Sequence, residues 1–198
     1  MNRLIVVRHG RTGWNASRRV QGQTDAALDE VGRAQARAAA PRLAELAPAA
    51  IVASDLSRAA DTAAELAALT GLAVRLDPRL RERSFGQWQG LRKDEIAERF
   101  PEGYARWQAG QAVDGFDIEP VDEVAKRTAA ALQDAADLAP DSTVAVFGHG
   151  ASTKYALGVL LGWPAPVLRT VRVLGNCRWV ELHRDAVRGW QLDGYNLR

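Results

Sequence analysis

The apolar positions of this chain fall into short continuous runs and longer helical stripes. Leu4-Ile5-Val6-Val7 is unbroken by polar residues and stops at Arg8-His9-Gly10. A run of that length predicts a strand buried on both faces. Ala50-Ile51-Val52-Ala53, stopped by Ser54-Asp55, repeats the pattern, and Thr143 to Phe147, stopped by Gly148-His149-Gly150, repeats it again. Leu72 to Leu76 predicts a further strand before Pro78. Between these runs the spacing predicts helices over about 30–46, 56–69, 121–138 and 151–161. Asp29 can cap the first, Gly71 ends the second, and Gly162-Trp163-Pro164 stops the last. Arg178 to His183 and Trp190 to Asp193 alternate instead, on either side of a turn at 184–188. They predict an antiparallel hairpin at a sheet edge. Residues 78–120 are broken by glycine, proline and aromatics, with short helices expected near 92–99 and 101–109. The expected fold is α/β: three αβα layers around a mostly parallel mixed sheet, with the edge hairpin near the C-terminus and a lid-like excursion at about 84–120. The chain reads as one domain over 1–198.

Composition narrows the function classes. A chain of 198 residues, 47% hydrophobic and 25% charged, matches neither a disordered, a collagen-like nor a coiled-coil protein. No apolar run reaches membrane-span length, and the N-terminal run is too short for a signal peptide. The one cysteine, Cys177, leaves no partner for an internal disulfide and no cysteine zinc site, so a cytoplasmic setting is expected. Net charge is +2; this balance gives no reason to expect a nucleic-acid partner.

Histidine is scarcer and more informative. His9 and His149 each follow a predicted strand and each precede glycine; His183 lies in the terminal hairpin, where it reads as a scaffold residue. Ser54-Asp55-Leu56-Ser57-Arg58 follows a third strand. In open α/β sheets ligands bind at the carboxyl ends of strands. Those ends would gather two imidazoles and the guanidiniums of Arg8 and Arg58, a set suited to a phosphoryl group. The start of the helix near Ala151 is expected to add amide donors. Taken alone, Arg58 also fits an exposed helix residue, and Glu82 a solvated one.

Together these segments resemble the histidine phosphatase superfamily, in its phosphoglycerate-mutase-like branch. The resemblance runs through Leu4 to Asn15, Gln21-Gly22, Leu28 to Gly32, Ser54 to Ala59 with Thr62-Ala63, Leu80 to Leu91 and Phe147 to Gly150, in the family's order. Ala27 and Ala151 depart from it at positions where proline and glycine are frequent. The resemblance implies that His9 is the nucleophile and forms a phosphohistidine. Arg8, Arg58 and His149 would hold the transferring oxygens, and Glu82 would protonate the leaving oxygen and then activate water. Asn15, Gln21, Gly22, Thr12 and Gly150 would bind phosphate or substrate. No metal or organic cofactor is implied.

Glu82 is flanked by Arg81 and Arg83, which are expected to point away from it. The short interval between Glu82 and His149, and the short tail after Tyr195, favour a phosphatase over a phosphoglycerate mutase, because a small lid admits water. A non-catalytic phospho-ligand binder is a third reading. The expected partner is a small phosphorylated metabolite, a sugar phosphate or phosphoglycerate derivative. One group of the family acts on glucosyl-3-phosphoglycerate. Trp88, Tyr104, Trp107 and Phe116 could stack on a sugar or pack the lid. Arg106, Lys93 or Arg11 could read a carboxylate or remain solvated. A homodimer is allowed and not required.

Overall fold

The computed structural model describes residues 2–113 and 115–198. Its elements are β1 (Asn2–Arg8), α1 (Gly13–Ala16), α2 (Glu30–Glu45), β2 (Pro48–Ala53), α3 (Ser57–Thr70), β3 (Val74–Leu76), α4 (Lys93–Arg99), α5 (Pro101–Gln108), α6 (Val121–Asp137), β4 (Thr143–Gly148), α7 (Gly150–Leu160), α8 (Ala165–Thr170), β5 (Trp179–Asp185) and β6 (Gly189–Leu197). The strands form a sheet in the order β3-β2-β4-β1-β5-β6. β3, β2, β4 and β1 are mutually parallel, and β5 and β6 run antiparallel at one edge.

Alternation along each buried strand divides the core in two. Leu4, Val6, Val52, Val144 and Val146 face α6 and α7, packing on Leu132, Ala135, Ala156 and Leu157. Ile5, Val7, Ile51, Ala145 and Phe147 face α2 and α3, packing on Ala36, Leu43, Ala63 and Leu66. Both faces are covered, so the runs need no polar positions. The alanines let the helices lie close to the sheet. Asp29 caps α2, its Oδ1 accepting the Gly32 amide at 2.7 Å. Gly71 ends α3 in the left-handed conformation, as expected.

The chain passes from β1 to β2 by skipping a place, and β4 fills the gap. The helices after β1 and β4 then leave on opposite faces, opening a crevice at the carboxyl ends of those strands. Register pairs Arg8 with Gly148, and the His9 amide donates to the Gly148 carbonyl at 3.0 Å. Ala53 pairs with Phe147, and the Ser54 amide donates to the Phe147 carbonyl at 2.8 Å. Hydrogen bonding in the sheet thus sets the three strand ends level.

Some elements depart from expectation. The strand expected at 72–76 is limited to Val74–Leu76, an edge strand with Leu76 57% exposed. With one neighbour there is little to extend it. The short helices α1 and α8 had no periodic pattern behind them, and β6 continues to Leu197 through a register shift. Residues 84–120 carry α4, α5 and a single 3-10 turn at Gly86–Trp88. They enclose a separate aromatic cluster: Trp88, Ile96, Val113 and Ile118, flanked by Phe100, Tyr104 and Phe116. No helix among the described residues is long and apolar enough to cross a membrane.

Candidate active site

His9 is buried at the end of β1. Its Nδ1 lies 2.7 Å from the Gly10 carbonyl, which can only accept, so Nδ1 carries the proton and Nε2 keeps the lone pair. Burial, then the charges of Arg8 and Arg58, hold the imidazole well below its usual titration range, so it is neutral near pH 7. The loop behind it is fixed from three sides. Asn176 Nδ2 donates to the His9 carbonyl at 3.0 Å, Thr62 Oγ1 accepts the Gly10 amide at 3.0 Å, and the Cys177 amide donates to the Arg8 carbonyl at 3.0 Å. Gly10 is required here: a Cβ would stand 2.5 Å from the Gly32 carbonyl oxygen.

His149 is fully buried beside His9, with ring centroids 5.2 Å apart. Its Nε2 shares a 2.9 Å hydrogen bond with Ser54 Oγ. Burial, followed by Arg58, His9 and Arg8, depresses its pKa as well. Arg8 is anchored by Nη1 on the Leu174 carbonyl at 2.5 Å. Arg58 is anchored by Nη1 on the Thr24 carbonyl at 2.9 Å and Nη2 on the Gly22 carbonyl at 2.7 Å. Burial lowers Arg58 to about 10, which leaves it charged at neutral pH. Arg8 Nε, Arg58 Nε and His149 Nδ1 are buried without a hydrogen-bond partner among the described residues. Each orphaned polar atom costs about 1–3 kcal/mol. Arg8 and Arg58 line the cavity above His9, whereas His149 is fully buried beside His9 and does not line it.

Glu82 takes an unexpected place. Its Oε2 accepts the Ala151 amide at 2.9 Å, and its Oε1 accepts the amides of Ser152 at 2.7 Å and Arg83 at 2.8 Å. The amides at the start of α7, expected to serve the phosphate, therefore hold this carboxylate. These amides fix the position of the Glu82 carboxyl at the cavity wall. Oε2, with a single amide, is the oxygen with capacity for a proton. The flanking arginines do point away: Arg81 forks onto Asp55 at 2.8 and 2.5 Å, and Arg83 Nε donates to the Glu119 carbonyl at 2.7 Å. Arg127 of α6 donates to the carbonyls of Arg79 at 2.7 Å, Arg81 at 2.8 Å and Glu82 at 3.1 Å, while pairing with Glu119.

A cavity of about 1000 Å³ opens above this floor, and Arg8, His9, Arg58, Glu82, Asn15, Gln21, Gly22 and Gly150 line it. Thr12 does not. It is buried as the N-cap of α1, accepting the Asn15 amide at 3.1 Å, and its hydroxyl donates to Gln21 Oε1 at 2.9 Å. Its expected direct contact is thus replaced by a positioning role: Gln21 Oε1 is occupied, which leaves the Nε2 end for the cavity. Asn15 Oδ1 likewise accepts the Thr12 amide at 3.1 Å, leaving its Nδ2. Gly22 sits at φ +55, where a Cβ would collide with Gln89, and its carbonyl anchors Arg58.

Of the expected carboxylate readers, Lys93 lines the cavity, its Nζ 5.1 Å from the Trp107 ring centre. Arg11 is committed to Asp29 at 2.9 Å, and Arg106 lies outside the wall. Trp107 faces the cavity, whereas Trp88, Tyr104 and Phe116 pack the 84–120 segment itself. Ser54, Asn176, Thr62 and Arg127 were given no role from the sequence. Ser54 opens a strand-end segment that was singled out for Arg58. Of the outer wall, Trp14 lay inside a quoted motif without a role, and Arg18, Arg19 and Arg92, which flank quoted motifs, were missed. An isolated bridge between Arg19 and Arg92 joins the two halves of this wall, with Val20 and Leu91 bonded amide to carbonyl at 2.9 Å.

A glucosyl-3-phosphoglycerate phosphatase of Mycobacterium tuberculosis is 36% identical over 98% of this chain and 94% of its own. A probable phosphoglycerate mutase of an Enterobacter species is 38% identical over 89% and 82%. The structure of a mycobacterial glucosyl-3-phosphoglycerate phosphatase complexed with VO3 superposes with a TM-score of 0.90, at 37% identity and full coverage of both chains. Residues 4–198 match the profile of the histidine phosphatase superfamily (branch 1), and the chain belongs to that family.

Proposed function

We propose that this protein is a phosphomonoester hydrolase that works through a phosphohistidine on His9, on a small phosphorylated metabolite. One observation carries the reading: His9, a buried neutral imidazole, lines one cavity together with two anchored guanidiniums, Arg8 and Arg58, and the carboxyl of Glu82. In the first step His9 Nε2 forms a bond to phosphorus as the ester P–O bond breaks. Glu82 gives its proton to the departing alkoxide. In the second step water attacks the phosphohistidine, Glu82 takes the water proton, and phosphate leaves. Two easier displacements replace one difficult one. Arg8, Arg58 and His149 stabilise the equatorial oxygens by fixed position, and Asn15, Gln21 and Gly150 line their approach. No step uses a metal or cofactor.

We take the substrate to be a phosphoglycerate derivative, with glucosyl-3-phosphoglycerate the first candidate. Support comes from the mycobacterial relatives and from the cavity, whose about 1000 Å³ is at the upper end for small-molecule sites. The proposal also reads residues 1–198 as one unit with 84–120 as its lid, in a cytoplasmic setting. A phosphoglycerate mutase is the second reading, favoured by the Enterobacter relative. Phosphate release from a panel of monoesters in chelator, wild type against His9→Ala, tests both readings. Release by wild type, loss of at least about 10³-fold in the variant, and an acid-labile, alkali-stable phosphoenzyme are expected. Conversion of 3-phosphoglycerate to its isomer without phosphate release would establish the mutase instead. Full activity in His9→Ala would remove the mechanism.

A further inference from the structure

The outer wall of the cavity carries four cations: Arg18, Arg19, Arg92 and Lys93. Three are already engaged. Arg19 Nη1 donates to Glu95 at 3.0 Å and to the Gly90 carbonyl at 2.6 Å. Arg92 forks onto Asp94, and Lys93 lies over the Trp107 ring. Arg18 has no side-chain hydrogen bond, ion pair or ring contact among the described residues. We propose that Arg18 is a specificity-determining residue, whose guanidinium engages a second anionic group of the substrate while the phosphate sits over His9. The assignment rests on the phosphomonoesterase reading and narrows its substrate class: monoesters with a carboxylate or a second phosphate are preferred over monoesters that carry no other charge.

Backbone geometry supports it independently. Arg18 follows the end of α1 at φ +57, the left-handed conformation in which helices usually place glycine. Its amide donates to the Asn15 carbonyl at 3.2 Å, and the Arg19 amide donates to the Trp14 carbonyl at 2.9 Å. A residue with a Cβ is strained there. The position nevertheless holds the side chain best fitted to grip a carboxylate or phosphate with two parallel bonds. The turn is also tied to the chemistry. Asn15 completes the Thr12 capping box, and its Oδ1 meets Asn176 Nδ2 at 3.3 Å, the same amide that holds the His9 carbonyl. The Arg18 backbone therefore stands at a fixed place relative to the nucleophile, in a wall that Trp14 and Trp107 also line. Net positive charge is left unspent there, which attracts and orients a dianionic head with an anionic tail.

Arg18→Gly provides the test, because it removes the side chain and relieves the backbone together. kcat/KM is measured for 3-phosphoglycerate, for a bisphosphorylated sugar and for p-nitrophenyl phosphate, alongside thermal melting. The variant is expected to melt no lower than wild type. Its preference for a doubly anionic substrate over the aryl ester should fall about tenfold or more, through KM. A fall confined to 3-phosphoglycerate identifies the second group as carboxylate, and one confined to the bisphosphate identifies it as phosphate; either supports the assignment. An unchanged preference, or equal loss on all three esters, would overturn it. If wild type released phosphate from none of them, the phosphomonoesterase reading itself would fall, and this assignment with it.

Discussion

Replacing Arg127 with alanine should reduce both stability and turnover, for reasons that can be separated. The side chain makes a two-pronged pair with Glu119, at 2.6 and 2.8 Å, and three bonds to the carbonyls of Arg79, Arg81 and Glu82. Both partners are mostly buried, with side chains 22% and 13% exposed. Glu119 would be left without its main counter-charge; burial alone pushes its carboxyl upward, and the Arg127 and Ser84 bonds outweigh that push. Breaking such a pair from one side costs about 2–4 kcal/mol, less than for a fully buried one. In a chain of this size that corresponds to roughly 4–16 °C in melting temperature. The three carbonyls belong to the segment that delivers Glu82, the proposed proton donor, and misplacing such a group by about 1 Å costs up to about 10²-fold in rate. We expect kcat to fall about 10- to 100-fold with KM little changed, measured by single-substrate kinetics well below the variant's melting point. Arg127→Lys should recover part of the stability and less of the rate, because an ammonium cannot span carboxylate and three carbonyls. Lowered melting with unchanged kcat would refute the positioning argument and leave Arg127 as scaffold.

Two further outcomes follow from the floor of the site. Ser54→Ala removes the partner of His149 Nε2; kcat should drop about tenfold with the fold intact, and wild-type turnover would show that the ring is held by packing alone. Both buried imidazoles titrate well below 6.5 in the folded protein, so the unfolded chain binds more protons as pH drops beneath that value. Their contribution to stability is then complete above about pH 6.5 and is lost as pH falls toward their folded values. Denaturation midpoints should decline from pH 7 to pH 5 in wild type, and less steeply in His149→Gln; equal slopes would contradict the assignment.

Much of the site was legible because the strands are buried on both faces. An uninterrupted apolar run ending in Arg8-His9-Gly10 or Gly148-His149-Gly150 marks a strand end without alternation to decode. His9, Arg8, Arg58, His149 and Glu82, proposed as nucleophile, clamps and acid, were singled out from these ends and from the family resemblance, and the structure brings Arg8, His9, Arg58 and Glu82 to one cavity. What held them in place was not legible. Leu174 and Gly22 grip the arginines through carbonyls, which every residue has. Arg127 reaches Glu82 across 45 positions, and no local pattern reports that span. The role of the α7 amides was misread because a helix start advertises anion binding without saying which anion. Thr12 was misread for a related cause: its hydroxyl suits phosphate, but helix capping claimed it first.

The bridge between Arg19 and Arg92 bears on how the entrance works. Val20 bonds to the 90–91 segment through both its amide and its carbonyl, and the strip between carries Arg18 and Gln21 on one side and Lys93 on the other. Two loops far apart in the chain are thereby zipped into a single hinge plate. The aperture cannot widen by either loop drifting alone; admission of a bulkier alcohol needs the plate to swing as a whole or the zip to open. Selection by size and selection by charge thus share one mechanical element, so a change that loosens the bridge should relax both together.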